Sequence, residues 1–193
     1  MRTQRRLERL SDALKRTQPD LTIVLENVHD PHNVSAILRT CDAVGVRKIN
    51  LLYYKEKFPK IGKKSSASAY KWIENVKFKS VSDCYESLKA DGFLIAASIV
   101  GDESDSLYEL DLRKKIALVF GNEHRGVSEE AASSADVLFQ IPMLGMVQSL
   151  NVSVACAITL YEAFRQRMKS GDYKKQKIGD AEFKERLDQW LKK

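Results

Sequence analysis

The run KIALVFGNEHRG, residues 115–126, decides the fold. After its lysine the first half is continuously apolar rather than alternating, the mark of a strand covered on both faces of a parallel sheet. The second half turns abruptly polar between two glycines, as a loop at a strand's carboxyl end does. Working outward, 93–99 is a second continuous apolar run, and 21–25, 48–54, 72–78 and 137–141 read as further strands. Helical patterns fall between them. In 34–44, Val34, Ile37, Leu38 and Cys41 make one face that Gly45 terminates; 82–90 is capped by Ser82 and ended by Gly92; Ser128 caps a short helix; and 150–168 is a long one. Strands alternating with helices predict an α/β fold with a largely parallel sheet. Residues 101–113 read as acidic and irregular, and 55–68 as a lysine-rich mobile loop.

Outside this core lie two basic flanks. Residues 2–16 form a helical pattern with Leu7, Leu10 and Leu14 as its apolar stripe, broken by Gln18-Pro19-Asp20. A basic linker, 169–177, precedes a last helix over 181–191. The expected division is therefore an N-terminal helix (1–19), a core (20–168) and a C-terminal extension (169–193). No internal repeat is visible.

The chain has 193 residues, 32 Lys and Arg against 26 Asp and Glu, and a net charge of +6. A hydrophobic fraction of 44% with nine Gly and four Pro excludes disordered and collagen-like classes. The charge is segregated: +4 over 1–16, +6 over 55–79 and +5 over 165–177, against −9 for the remainder. Three basic appendages on an acidic core point to a polyanionic partner, nucleic acid before membrane. Cys41, Cys84 and Cys156 are odd in number and lack a C-x-x-C pair, so they are expected in the core rather than in disulfides or a zinc knuckle. The first residues contain no apolar signal segment, and 137–161 is interrupted by too many polar residues for a lipid-facing helix. A soluble, cytoplasmic protein with no membrane partner is the expectation.

Open parallel sheets bind ligands beyond the carboxyl ends of their strands. Three polar loops take that position: 26–33 (ENVHDPHN), 121–126 (GNEHRG) and 141–151 (IPMLGMVQSLN). No G-x-G-x-x-G is present, and Gly62-Lys63 has Lys57 and Lys64 where a P-loop needs Gly and Ser or Thr, which disfavours ATP and NAD chemistry. His29, Asp30 and His32 lack a further strong ligand at fixed spacing, so no metal is expected.

The strings NVHDPHNVSAILRTCDAVGV (27–46), LVFGNEHRGVS (118–128) and IPMLGMVQSLNVSVACAITLYEA (141–163) resemble the three signature motifs of the SpoU branch of the SPOUT RNA methyltransferases. The resemblance spans most of 20–168, and the third motif is highly specific. The opening RRLERLSDALKRTQPDLTIVLENVHDPHN is similar to the TrmH-type tRNA guanosine 2′-O-methyltransferases, which act on the D-loop guanosine at position 18; the acidic stretch 99–106 departs from the family wording. The resemblance implies a SPOUT α/β-knot fold, with a C-terminal deep trefoil knot through which the third motif is threaded. It also implies a homodimer whose active sites draw on both chains, S-adenosylmethionine as methyl donor, and tRNA rather than DNA as partner.

Carried onto this sequence, the family pattern places the catalytic arginine at Arg39, with Asn33, Glu123, Ser149 and Asn151 as the other motif residues. Arg39 follows Asn33 by six residues, and both are expected at one crevice. A guanidinium holds its proton to a pKa above ~12. Arg39 therefore either loses a proton transiently beside a desolvated phosphate, as the family assignment has it, or stays cationic, gripping the phosphate and stabilising the developing alkoxide, which the chemistry favours. Glu123 stands beside the loop, where a carboxylate fixes site geometry or orients Asn33; Ser149 and Asn151 also suit plain helix capping. Cofactor contacts are expected around Ala97, Gly121, Ile141, Met143 and Leu150, mostly through backbone. RNA contacts are expected from Arg2, Arg5, Arg6 and Arg9, from Lys63 and Lys64, and from Arg165, Arg167, Lys174 and Lys175. Two rivals remain: a ribosomal-RNA ribose methyltransferase of the same branch, and a non-catalytic RNA-binding protein on the same fold.

Overall fold

The computed structural model describes residues 4–59, 69–101 and 104–193. Its strands are β1 (Leu21–Glu26), β2 (Lys48–Leu52), β3 (Glu74–Phe78), β4 (Leu94–Ser98), β5 (Asp105–Ser106), β6 (Ile116–Phe120) and β7 (Val137–Gln140). Its helices are α1 (Gln4–Lys15), α2 (Pro31–Ala43), α3 (Val81–Ala90), α4 (Glu129–Ser133), α5 (Val152–Ser170) and α6 (Asp180–Leu191). Among the described residues the seven strands form one sheet in the order β3-β2-β1-β6-β4-β7-β5. Every pairing is parallel.

The opening stretch sits where its composition requires. All five residues of β6 are buried, as are all six of β1 beside it, because apolar clusters cover both faces. Cys41, Cys84 and Cys156 are buried with free thiols, and burial pushes the Cys84 thiol up to about 12. Among the described residues no helix is long and apolar enough to cross a membrane.

Several boundaries differ from the sequence reading. Ser80 rather than Ser82 caps α3, its hydroxyl accepting from Asp83 N. The strand expected from Trp72 begins at Glu74, and Trp72 instead stacks on Trp190 of α6 at 5.0 Å. Residues 101–113 are not wholly irregular, since β5 adds an edge strand through backbone pairing that its polar side chains do not advertise. The long helix starts at Val152, two residues late, because Asn151 takes the cap and leaves 141–151 non-helical.

The flanks pack on each other. Leu10 and Leu14 of α1 form a cluster with Trp190 of α6. Arg167 overturns the expectation that it meets RNA. It has no exposed surface, donates to the Leu112 and Lys114 carbonyls at 2.9 and 2.8 Å, and pairs with Asp20 at 2.5 Å. A buried guanidinium must satisfy its donors internally, and this one does so by tying α5 to the start of β1.

Candidate active site

The three polar loops converge at the carboxyl edge of the sheet. Asp30 caps α2 by accepting from His32 N at 2.7 Å, and Pro31 follows at the first turn, where its missing N–H costs nothing. This start turns Asn33 inward. Its amide donates to Glu123 Oε1 at 2.9 Å, and its carbonyl oxygen accepts from Asn151 Nδ2 at 3.1 Å. Asn151 simultaneously caps α5, its Oδ1 accepting from Ser153 N at 2.9 Å. Glu123 also accepts from the amides of His29 and Asp30 at 3.0 and 3.1 Å. Partial burial opposes the charge on Glu123, yet the donors from Asn33, His29 and Asp30 outweigh it and hold the carboxyl below its usual range.

The loop 121–126 is closed by paired backbone hydrogen bonds between Asn122 and Gly126. A Cβ on Gly121 would lie 2.0 Å from the Gly126 carbonyl carbon, so no other residue fits there without moving backbone. Beneath it, Asn27 ends β1 with φ 51, in the left-handed region. Its side-chain oxygen accepts from the successive amides of Tyr54, Lys55 and Glu56, and its carbonyl accepts from Asn122 Nδ2 at 2.8 Å. Asn27 and Asn122 thus lock three loops together. The sequence reading passed over both.

Beside this network lies a cavity of about 470 Å³, within the ~300–1,000 Å³ typical of small-molecule sites. Gly121, Ile141, Met143 and Leu150 line it, as do Glu123 and Ser149. Ala97 does not. It is buried within β4, its methyl in the apolar cluster against α3, and the chain reaches the cavity only at Ser98, Ile99 and Val100. Arg39 does not join the Asn33–Glu123–Asn151 network. Six residues at 3.6 per turn put it about 120° around α2 from Asn33, and it is exposed, its side chain making no hydrogen bond or ion pair among the described residues. Arg5, Arg6, Arg9, Arg165, Lys174 and Lys175 are also exposed, although Arg165 pairs with Glu162 at 2.7 Å. Arg2, Lys63 and Lys64 lie outside the described residues.

Residues 20–161, which carry this sheet and loop cluster, match the SpoU rRNA Methylase family in sequence, and the chain belongs to that family. A tRNA (guanosine(18)-2′-O)-methyltransferase of Thermus thermophilus is 44% identical over 192 residues, covering 100% of this chain and 98% of its own length. The crystal structure of the A. aeolicus TrmH/SpoU tRNA modifying enzyme superposes with a TM-score of 0.92 at 40% identity, covering 97% of this chain and 95% of that one. The SpoU methyltransferase AviRb from Streptomyces viridochromogenes, in complex with AdoMet, superposes with a TM-score of 0.69 at 25% identity, covering 80% of this chain and 62% of that one.

Proposed function

We propose that this chain transfers a methyl group from S-adenosylmethionine to the ribose 2′-hydroxyl of guanosine 18 in the tRNA D-loop. One observation carries the reading. Asn33, Glu123 and Asn151, one from each motif and up to 118 residues apart, meet beside a cofactor-sized cavity, in a chain matched end to end by a relative of that name.

The residues present suit the donor. Ile99, Val100, Ile141, Met143 and Leu150 give an apolar slot for adenine, while Ser149 and Gln148 give a polar rim for the amino-acid end. The donor supplies a methyl already activated by its sulfonium. The chain supplies position and proton handling. Asn33, held by Glu123 and Asn151, fixes the loop geometry, and Ser149, whose hydroxyl has no partner among the described residues, offers it to the acceptor. Arg39 stays cationic, grips a nucleotide phosphate and stabilises the developing alkoxide.

We further propose a homodimer. Val154, Tyr161 and Met168 recur every seven residues along one face of α5 and are all exposed, as are Leu144, Met146 and Val147 in the loop that precedes it. A second copy covering it would carry Arg39 toward its partner's cavity. The knot is supported by β7, which lies between two earlier strands, β4 and β5, as a threaded segment requires. The tRNA binds to the exposed arginines of α1 and to Arg165, Lys174 and Lys175, in a cytoplasmic setting.

Incubation with tritiated S-adenosylmethionine and unmodified tRNA, a transcript with guanosine 18 replaced, and rRNA fragments tests this. Label appears only in the tRNA bearing guanosine 18. Transfer indifferent to that replacement overturns the position, transfer to rRNA alone overturns the substrate, and no transfer at all overturns the enzyme.

A further inference from the structure

One ion pair spans two loops at the rim of the cofactor cavity. Arg125 lines the cavity with its side chain 53% exposed, and its Nη2 lies 2.8 Å from Glu56 Oε1. The other Glu56 oxygen is 3.7 Å from Nδ1 of exposed His29. Among the described residues Glu56 is the only carboxylate within ion-pair distance of Arg125.

Both ends are anchored from below. Glu56 N donates to Asn27 Oδ1 at 3.1 Å, Arg125 N donates to Asn122 Oδ1 at 3.3 Å, and Asn122 Nδ2 donates to the Asn27 carbonyl. Asn27 and Asn122 are buried, so a polar spine fixes where carboxylate and guanidinium meet. An exposed ion pair adds little to folding, so stability does not explain why it is so firmly placed. A fixed guanidinium with free surface, beside a cavity where a nucleotide must lie, is built to take an oxyanion through two parallel hydrogen bonds.

Resting on the RNA methyltransferase reading above, we propose that Arg125, with His29 beside it, is a phosphate-binding subsite for the strand flanking the methylated ribose, and that Glu56 is a place-holding carboxylate which that phosphate displaces. Arg125 then exchanges one anion for another rather than being left unpaired, and Glu56 swings into water at little cost because it is already at the surface.

The test measures binding of unmodified tRNA to the full chain across a salt series, with binding of S-adenosylmethionine measured separately. Glu56→Gln removes the competitor and tightens tRNA binding roughly two- to fivefold at low salt, the range of one exposed ion pair. Glu86→Gln, an equal charge change on exposed α3, gives the background electrostatic effect and stays well below that. Arg125→Ala weakens tRNA binding, lowers the salt slope by about one phosphate contact, and abolishes the effect of Glu56→Gln in the double variant. The proposal is overturned if Glu56→Gln does no more than Glu86→Gln, if its effect survives in the Arg125→Ala background, or if it tightens S-adenosylmethionine instead, which would make the donor's own carboxylate the ligand. Wild-type protein that binds tRNA but transfers no methyl refutes the enzymatic reading alone, since the subsite is read from binding.

Discussion

Arg39 and Arg167 both stand on helices of a basic, RNA-directed sequence, yet their surroundings are opposite. Arg39 is exposed, and among the described residues its side chain has no partner, so its guanidinium is open to an incoming anion. Arg39→Ala should lower methyl transfer roughly 10²–10³-fold, the scale of one lost charge stabiliser, with S-adenosylmethionine affinity within about twofold; Arg39→Lys, lacking the planar fork, should not restore it. Single-turnover kinetics beside calorimetric cofactor binding check this, and near-wild-type turnover in the lysine variant would refute the guanidinium role. Arg167 should fail differently. Arg167→Ala should cost on the order of 3 kcal/mol, the low end for breaking a buried pair, because Lys177 still reaches Asp20 at 2.7 Å. Thermal unfolding reads that loss. Glu123 sets a pH dependence. Its folded pKa lies below the usual value of ~4.3, so the stabilisation is fully present above that value and is lost as pH falls through the lower folded one. Glu123→Gln should lower the melting temperature at pH 7 and flatten the fall seen below about pH 4.

At the scale of elements, what was legible followed from period and punctuation. The continuous runs of β4 and β6 and the Ser128 cap of α4 announce themselves through local chemistry, whereas α2 starts at Pro31, three residues before the helical pattern read from Val34. What escaped depends on partners distant in sequence. β5 is two residues long and exists only because β7 offers it an edge. The true start of α5 is set by Asn151 dividing its amide between cap and Asn33, and Asn33 and Arg39 separate because a helix that begins at Pro31 turns them apart. Of the candidate site, the motif residues were legible as strings, whereas the Asn27–Asn122 spine was not, because nothing local in either residue reveals a partner 95 positions away. Gly121 tests the loop as a unit. Gly121→Ala puts a methyl about 2.0 Å from backbone, and the displaced loop should weaken S-adenosylmethionine binding by more than about tenfold, given that a 1 Å misplacement can cost ~10². Calorimetric titration checks it, and unchanged affinity would mean the loop does not shape the cavity.

For the molecule as a whole, the position of Arg39 is the sharpest constraint. It lies about a third of a turn around α2 from Asn33, outside the network that frames its own chain's cavity, while the exposed stripe of Val154, Tyr161 and Met168 on α5 offers a surface for a second copy. In a two-fold dimer the two requirements join, because each cavity can receive its guanidinium from the other chain. Mixing inactive variants distinguishes that arrangement from one in which each chain is self-sufficient. Arg39→Ala and Asn33→Ala chains, each inactive alone, should regain activity when exchanged into mixed dimers. If Arg39 acts across the interface, a mixed dimer holds one site lacking both groups and one site lacking neither. Random pairing makes half the dimers mixed with one working site each, so methyl transfer should recover to about a quarter of wild type. If Arg39 serves its own chain, every site in every dimer lacks one group and mixing restores nothing. Tyr161→Glu, which places a charge in the apolar stripe, should make the chain monomeric by light scattering and abolish the recovery, because no mixed dimers would form.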